Sequence, residues 1–235
     1  MAITQYLAMT AAEMAGSPLP QHPAWMACHF SPYSTGLTNL PPKLRQGSLL
    51  ILNDRTPIHC HDPERVCREL NTALHRFGCV GLLVDFQNPV CPEARVLAAY
   101  LDAHLEAPMG IGPDYGLENA AVFLPPVPTD VAVGEYLRKW AGREIWLEAA
   151  LEGQNITLTP EGAVYAPNRR RDFDHIHIEP SLHCHYSMED TPEGITFHTW
   201  RTPEDLNSLL AEAEHHGVTR SVGLFQELGN QQVSI

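Results

Sequence analysis

The stretch that decides the fold is Phe77–Pro89, FGCVGLLVDFQNP. It reads as the end of an amphipathic helix, a glycine turn and a buried strand that closes on Asp85. Leu82, Leu83 and Val84 follow one another without a polar break, as in a parallel strand covered on both faces. Side chains alternate along a strand, so Gly81, Leu83, Asp85 and Gln87 share one face and Leu82, Val84 and Phe86 the other. The second row is wholly apolar and should lie under helices. The first becomes polar only at its C-terminal end, where parallel α/β folds bind ligands.

Outward from this strand, the pattern repeats. Upstream, Ser48–Asn53 (SLLILN) is a second continuous apolar strand, ending in Asn53 and Asp54. Asp62 then caps a helix with Pro63 at its first position. Val66, Leu70, Leu74 and Phe77 recur at helical spacing, and Gly78 stops it. Ile3–Met9 and Trp25–Phe30 are earlier strand candidates, with a Pro/Gly/Ser/Thr loop over Ser31–Pro42. Downstream, Pro92–Leu105 is a helix, Pro108–Gly112 and Ala120–Leu124 are short strands, and Val131–Trp140 is a helix. Glu144–Ala150 is a strand. Asn155–Tyr165 reads as a hairpin about Pro160-Glu161-Gly162. His175–Tyr186 and Ile195–Trp200 alternate as further strands of the same excursion. Thr202 and the acids after Pro203 open a helix that runs to His216-Gly217, and Ser221–Gln226 is the last strand.

Leaving out the excursion, at about 152–200, eight short strands remain, several separated by helices. That order predicts a compact (β/α)8 TIM-like barrel, a single domain over 1–235, with a small β-hairpin excursion before the last helix. An open doubly wound sheet is the rival, but no glycine-rich phosphate loop follows any strand.

The 235 residues are 44% hydrophobic, enough for a substantial core. The 15 basic against 28 acidic residues leave −13, which argues against nucleic acid or an anionic membrane surface as partner. Arg169-Arg170-Arg171, followed by Asp172 and Asp174, reads as a solvated loop. No stretch reaches membrane-spanning length, and the N-terminus lacks the basic residues of a signal peptide. Six cysteines without a C-x-x-C pair fit free thiols in a soluble, cytoplasmic protein.

The element order resembles the family-18 glycoside hydrolases, the chitinase-like barrels, in a shortened form. That family carries D-G-x-D-x-D-x-E on its fourth strand. The same stretch here is Val80-Gly81-Leu82-Leu83-Val84-Asp85-Phe86-Gln87: the glycine and last aspartate match, and the glutamate is replaced by Gln87. SLLILN and the helix after it resemble the family's third strand and helix. Thr199–Gly229 resembles its closing helix and eighth strand, with Phe225 in the place of a tryptophan.

The resemblance implies a barrel whose glutamate protonates the glycosidic oxygen while the aspartate orients the substrate's N-acetyl group. A carboxamide has no such proton to give, so Gln87 cannot fill that role. The tyrosine and aspartate of the family's sixth strand are also missing from Phe123-Leu124-Pro125-Pro126. The implied protein is a catalytically degenerate barrel that binds a saccharide or similar small polar ligand, with no cofactor. Its expected ligand-binding residues are Asn53, Asp85, Gln87, Tyr115, Glu148, Tyr186 and Phe225, with Tyr33 and Trp200 as further aromatic platforms.

Asp85 has a plainer alternative, a strand-end carboxylate that caps the next loop. Glu148, a charge inside the strand reading IWLEAAL, should point into the mouth above Trp146. Asp85, Glu148 and Glu227 are therefore the acids that an active hydrolase with relocated groups would use, though a buried structural ion pair fits Glu148 as well. The H-x-H pairs His59/His61 and His183/His185 raise a third possibility, a metal-dependent amidohydrolase-like enzyme. The first pair falls in a loop past its strand and the second in the excursion, so no metal is expected. A barrel kept only as an interaction scaffold is the fourth.

Overall fold

A computed structural model of the chain describes residues 2–33, 36–56, 58, 62–192 and 194–229. Eight parallel strands close on themselves: β1 (Thr4–Met9), β2 (Pro23–Phe30), β3 (Leu49–Asn53), β4 (Gly81–Asp85), β5 (Met109–Ile111), β6 (Ala121–Leu124), β7 (Ile145–Ala149) and β8 (Val218–Leu224). Each pairs with the next in the chain, and β8 pairs with β1. Among the described residues six α-helices are interspersed: α1 (Ala11–Gly16), α2 (Pro63–Phe77), α3 (Pro92–His104), α4 (Val133–Arg138), α5 (Pro203–Glu214) and α6 (Phe225–Leu228). The (β/α)8 barrel expected from the strand count is the observed architecture. None of these helices is long and apolar enough to cross a membrane.

Local signals set the elements. Asp62 accepts the Arg65 N–H at the start of α2, and Gly78 ends the helix in the left-handed region at φ 63°. A Thr202–Asp205 capping box opens α5. Leu82 and Val84 pack into the layer under α2 and α3, with Phe86 against it, while Leu83 faces the barrel interior. The two faces of β4 thus follow the alternation.

The N-terminal half of the barrel interior is plugged. Trp146 is fully buried among Tyr6, Leu49, Ile51 and Leu83. Its indole N–H donates to Glu144 at 2.9 Å, and the Arg220 guanidinium lies 4.5 Å over its ring. Glycine stands at 110 because a Cβ there would run into that ring, and at 81 because a Cβ would meet the Arg220 guanidinium and the Pro108 carbonyl. Side chains above Trp146 therefore surround open space rather than one another.

Three expectations are adjusted. The last strand begins at Val218, three residues before Ser221, and ends at Leu224. The helix expected over Val131–Trp140 is the shorter α4, continued by turns. The excursion, expected as a small hairpin with further strands, is a five-stranded antiparallel sheet. Its strands are Gly153–Thr159, Gly162–Pro167, His177–Glu179, Cys184–Thr191 and Gly194–Trp200. The segment His175–Tyr186 is broken by a turn at Pro180–Leu182, with His183 in the left-handed region at φ 49°. Buried Arg201 fastens this sheet to the barrel. Its guanidinium donates to the carbonyls of Val127, Pro128, Leu182 and His183.

Candidate functional site

The C-terminal ends of the strands surround a cavity of about 720 Å3. Asn53 and Asp85 are register partners at the ends of β3 and β4, and Glu148 is the partner of Val222 on β7 and β8. Asn53, Asp85, Gln87, Phe123 and Glu148 all line the space, with Arg55 and α1 at its margin. Inward alternation explains each strand residue. Glu148 stands two residues beyond Trp146, Phe123 two beyond Ala121, and Asp85 two beyond Leu83, and these predecessors are all interior.

The loop after β4 is built by Asp54. Its buried carboxylate accepts the backbone N–H groups of Gln87 and Asn88, each at 2.9 Å. The Asn88 side chain donates to the Asp54 carbonyl at 2.8 Å. Asp54, not Asp85, is thus the loop-capping carboxylate. Asn53 is also engaged: its amide donates to the Met26 carbonyl at 2.8 Å and its oxygen accepts the Arg55 N–H at 3.1 Å.

Asp85 is left facing the cavity, with the Gln87 amide donating to it at 3.3 Å. Burial pushes its carboxyl above the ordinary value, the Gln87 hydrogen bond pulls it down, and the charge of Asp54 raises it. Glu148 is displaced further, pushed up to about 7 by burial and then by the negative charges of Asp85, Glu152 and Glu227. Among the described residues, no group donates a hydrogen bond to the Glu148 carboxyl or forms an ion pair with it. Glu227 accepts the Leu151 N–H at 2.6 Å, which ties α6 to the segment after β7.

The other residues singled out lie elsewhere. Tyr115 is buried in the layer outside the barrel, its ring edge-on to Phe86 at 6.1 Å. Tyr186 stacks on His177 at 5.1 Å within the antiparallel sheet. Phe225 opens α6, one residue past the strand. Trp200 is buried against Phe173 and His185, and Tyr33 is fully exposed. His183 meets Glu212 at 2.8 Å and His185 meets Asp205 at 2.7 Å, both partners on α5. His59 and His61 lie outside the described residues. Among those described, no three His, Cys, Asp or Glu side chains are grouped to hold a metal ion. Arg171, read as solvated, donates to the carbonyls of Leu151 and Asn168.

Reasoning from sequence missed Asp54 and Phe123. The signal for the first was an Asn-Asp pair at a strand end, where only one of the two side chains can face the interior. For the second it was an aromatic ring two residues beyond an interior alanine.

No family model matches the sequence, and no curated protein matches it. Solved structures do. The class V chitinase from Nicotiana tobaccum superposes with a TM-score of 0.59 at 9% identity, over 94% of this chain and 93% of that one. A family-18 N-acetylglucosaminidase from Paenibacillus barengoltzii gives 0.59 at 10% identity, over 98% and 96%. The fold is that of the family-18 glycoside hydrolases. The spore cortex-lytic enzyme SleL of Bacillus cereus shares it as well, with a TM-score of 0.55 at 10% identity over 94% of this chain and 70% of that one. In this barrel, β4 is the strand that carries the sequence resemblance. Its end places Asp85 and Gln87 at the mouth.

Proposed function

We propose that this family-18 barrel binds a saccharide of the N-acetylglucosamine class in the cavity at its mouth, and that the family's own proton-donating step has been lost at Gln87. The observation that carries the reading is the convergence of Asp85, Gln87, Phe123 and Glu148 on one cavity. A sugar ring offers hydroxyl and amide donors around an apolar C–H face. Asp85 accepts such donors, the Gln87 amide both donates and accepts, and the Phe123 ring supplies an apolar wall. Two proteins of this fold, the chitinases of Nicotiana tobaccum and Cycas revoluta, are known in complex with a tetramer of N-acetylglucosamine, each as a Glu→Gln variant. This chain carries glutamine natively where the family motif has glutamate.

Isothermal titration calorimetry with (GlcNAc)4, and with cellotetraose as a control, tests the reading. Saturable binding of (GlcNAc)4 is expected, weakened at least about tenfold by Asp85→Ala, in line with the loss of a charged hydrogen-bond acceptor. No heat of binding for either sugar at millimolar concentration refutes it.

A further inference from the structure

We propose that Glu148 has taken over as proton donor to the glycosidic oxygen of the bound saccharide, with Asp85 as the partnering base, so that the mouth holds a two-carboxylate hydrolytic pair in place of the family's glutamate. The inference rests on saccharide binding in this cavity and goes beyond it to the reaction.

Every other carboxylate near the cavity is engaged or set back. Asp54 holds two backbone N–H groups, Glu227 holds the Leu151 N–H, and Glu152 lies beyond the end of β7. Glu148 lines the cavity with no donor or cation bonded to it among the described residues. Its backbone is fixed by β6 and β8 on either side, and Trp146 below it fills the barrel floor. A carboxyl so placed is open to a ligand that enters the cavity. Asp85 lines the same cavity from β4, and the Gln87 amide steadies its charged form.

The environments of the two acids differ, as acid and base roles require. Glu148 is held near neutrality, where it carries a proton to donate, by burial and by three facing negative charges: Asp85 from β4, Glu227 from α6, and Glu152 from the segment after β7. Two cations flank the group. Arg55 is exposed at the margin, and Arg171, bonded to the Leu151 carbonyl, neutralises part of the Glu152 and Glu227 charge.

In the step, Glu148 gives its proton to the bridging oxygen as the bond from that oxygen to the anomeric carbon breaks. The electron pair stays on the departing oxygen, which leaves as a hydroxyl. Water attacks the anomeric carbon and passes a proton to Asp85. Glu148 ends ionised and Asp85 protonated, and exchange with solvent restores both.

The experiment measures cleavage of (GlcNAc)4 by chromatography, and of 4-nitrophenyl and 2,4-dinitrophenyl N-acetylglucosaminides, from pH 4 to 9. Wild-type protein is expected to cleave (GlcNAc)4 slowly, with a rate that falls about tenfold per pH unit above about pH 7. Glu148→Gln should lower that rate at least about 100-fold, and much less for the 2,4-dinitrophenyl glycoside, whose departure needs no proton. Glu148→Asp serves as the second variant and should retain weak cleavage with a displaced pH profile. Calorimetric binding of (GlcNAc)4 by the same wild-type preparation separates the two readings. Binding without cleavage overturns this inference alone, and absence of both overturns it together with the saccharide reading. Equal activity in wild type and Glu148→Gln also overturns it.

Discussion

Replacing Glu148 by glutamine should make the protein more stable, and only at neutral and alkaline pH. A carboxyl whose value is higher in the folded than in the unfolded chain penalises the folded state once it ionises. Below about pH 4.5, the ordinary value, the group is protonated in both states and the substitution changes little. The penalty grows as pH rises and is complete above about pH 7. The interval from 4.5 to about 7, at about 1.4 kcal/mol per pH unit, sets a ceiling on the order of 3 kcal/mol. Glu148 opens onto the cavity, so solvent screening reduces this to about 2 kcal/mol. For a chain of this size that corresponds to a rise in Tm of about 4–8 °C at pH 8. At pH 5 the gain should be under about 1 kcal/mol. Thermal unfolding followed by circular dichroism, at both pH values and low salt, measures it. A variant less stable than wild type at pH 8 would mean that the carboxylate is held by favourable contacts. An equal gain at both pH values would mean that ionisation is not the cause. Either result refutes the picture of an unpartnered acid in a desolvated mouth.

Three further outcomes are expected. Gly110→Ala forces a methyl group into the Trp146 ring and should destabilise the fold by about 1–3 kcal/mol in urea unfolding. Asp54→Ala strips the acceptor from two backbone N–H groups. It should cost about 2–4 kcal/mol and weaken (GlcNAc)4 binding by freeing Gln87. Elemental analysis of the purified protein should find no stoichiometric zinc, since His183 and His185 each face a separate carboxylate on α5.

Regular elements were legible wherever burial imposed a period. The row Leu82-Leu83-Val84 and the spacing of Val66, Leu70 and Leu74 fix β4 and α2, because each face meets a different neighbour. The barrel followed from counting such strands. Glu148 stood out because a charge inside an apolar strand has few places to point. The inserted sheet was legible as a hairpin with further alternating strands, but its break at Pro180–Leu182 was not, because a three-residue turn leaves no period of its own. Tyr115 and Tyr186 lie in a short turn and an inserted sheet, where no period says which way a ring points. Asp54 was obscured by its neighbour. Which of Asn53 and Asp54 faces the loop depends on where β3 ends, and one residue of difference reverses the answer.

The most direct test of the account is a crystal structure of the protein grown with (GlcNAc)4. The sugar is expected in the mouth between Asp85 and Glu148, with a ring against Phe123 and the Gln87 amide within hydrogen-bond distance. An oligosaccharide seated on the antiparallel sheet, or a mouth left empty at a concentration that saturates binding in solution, would contradict it.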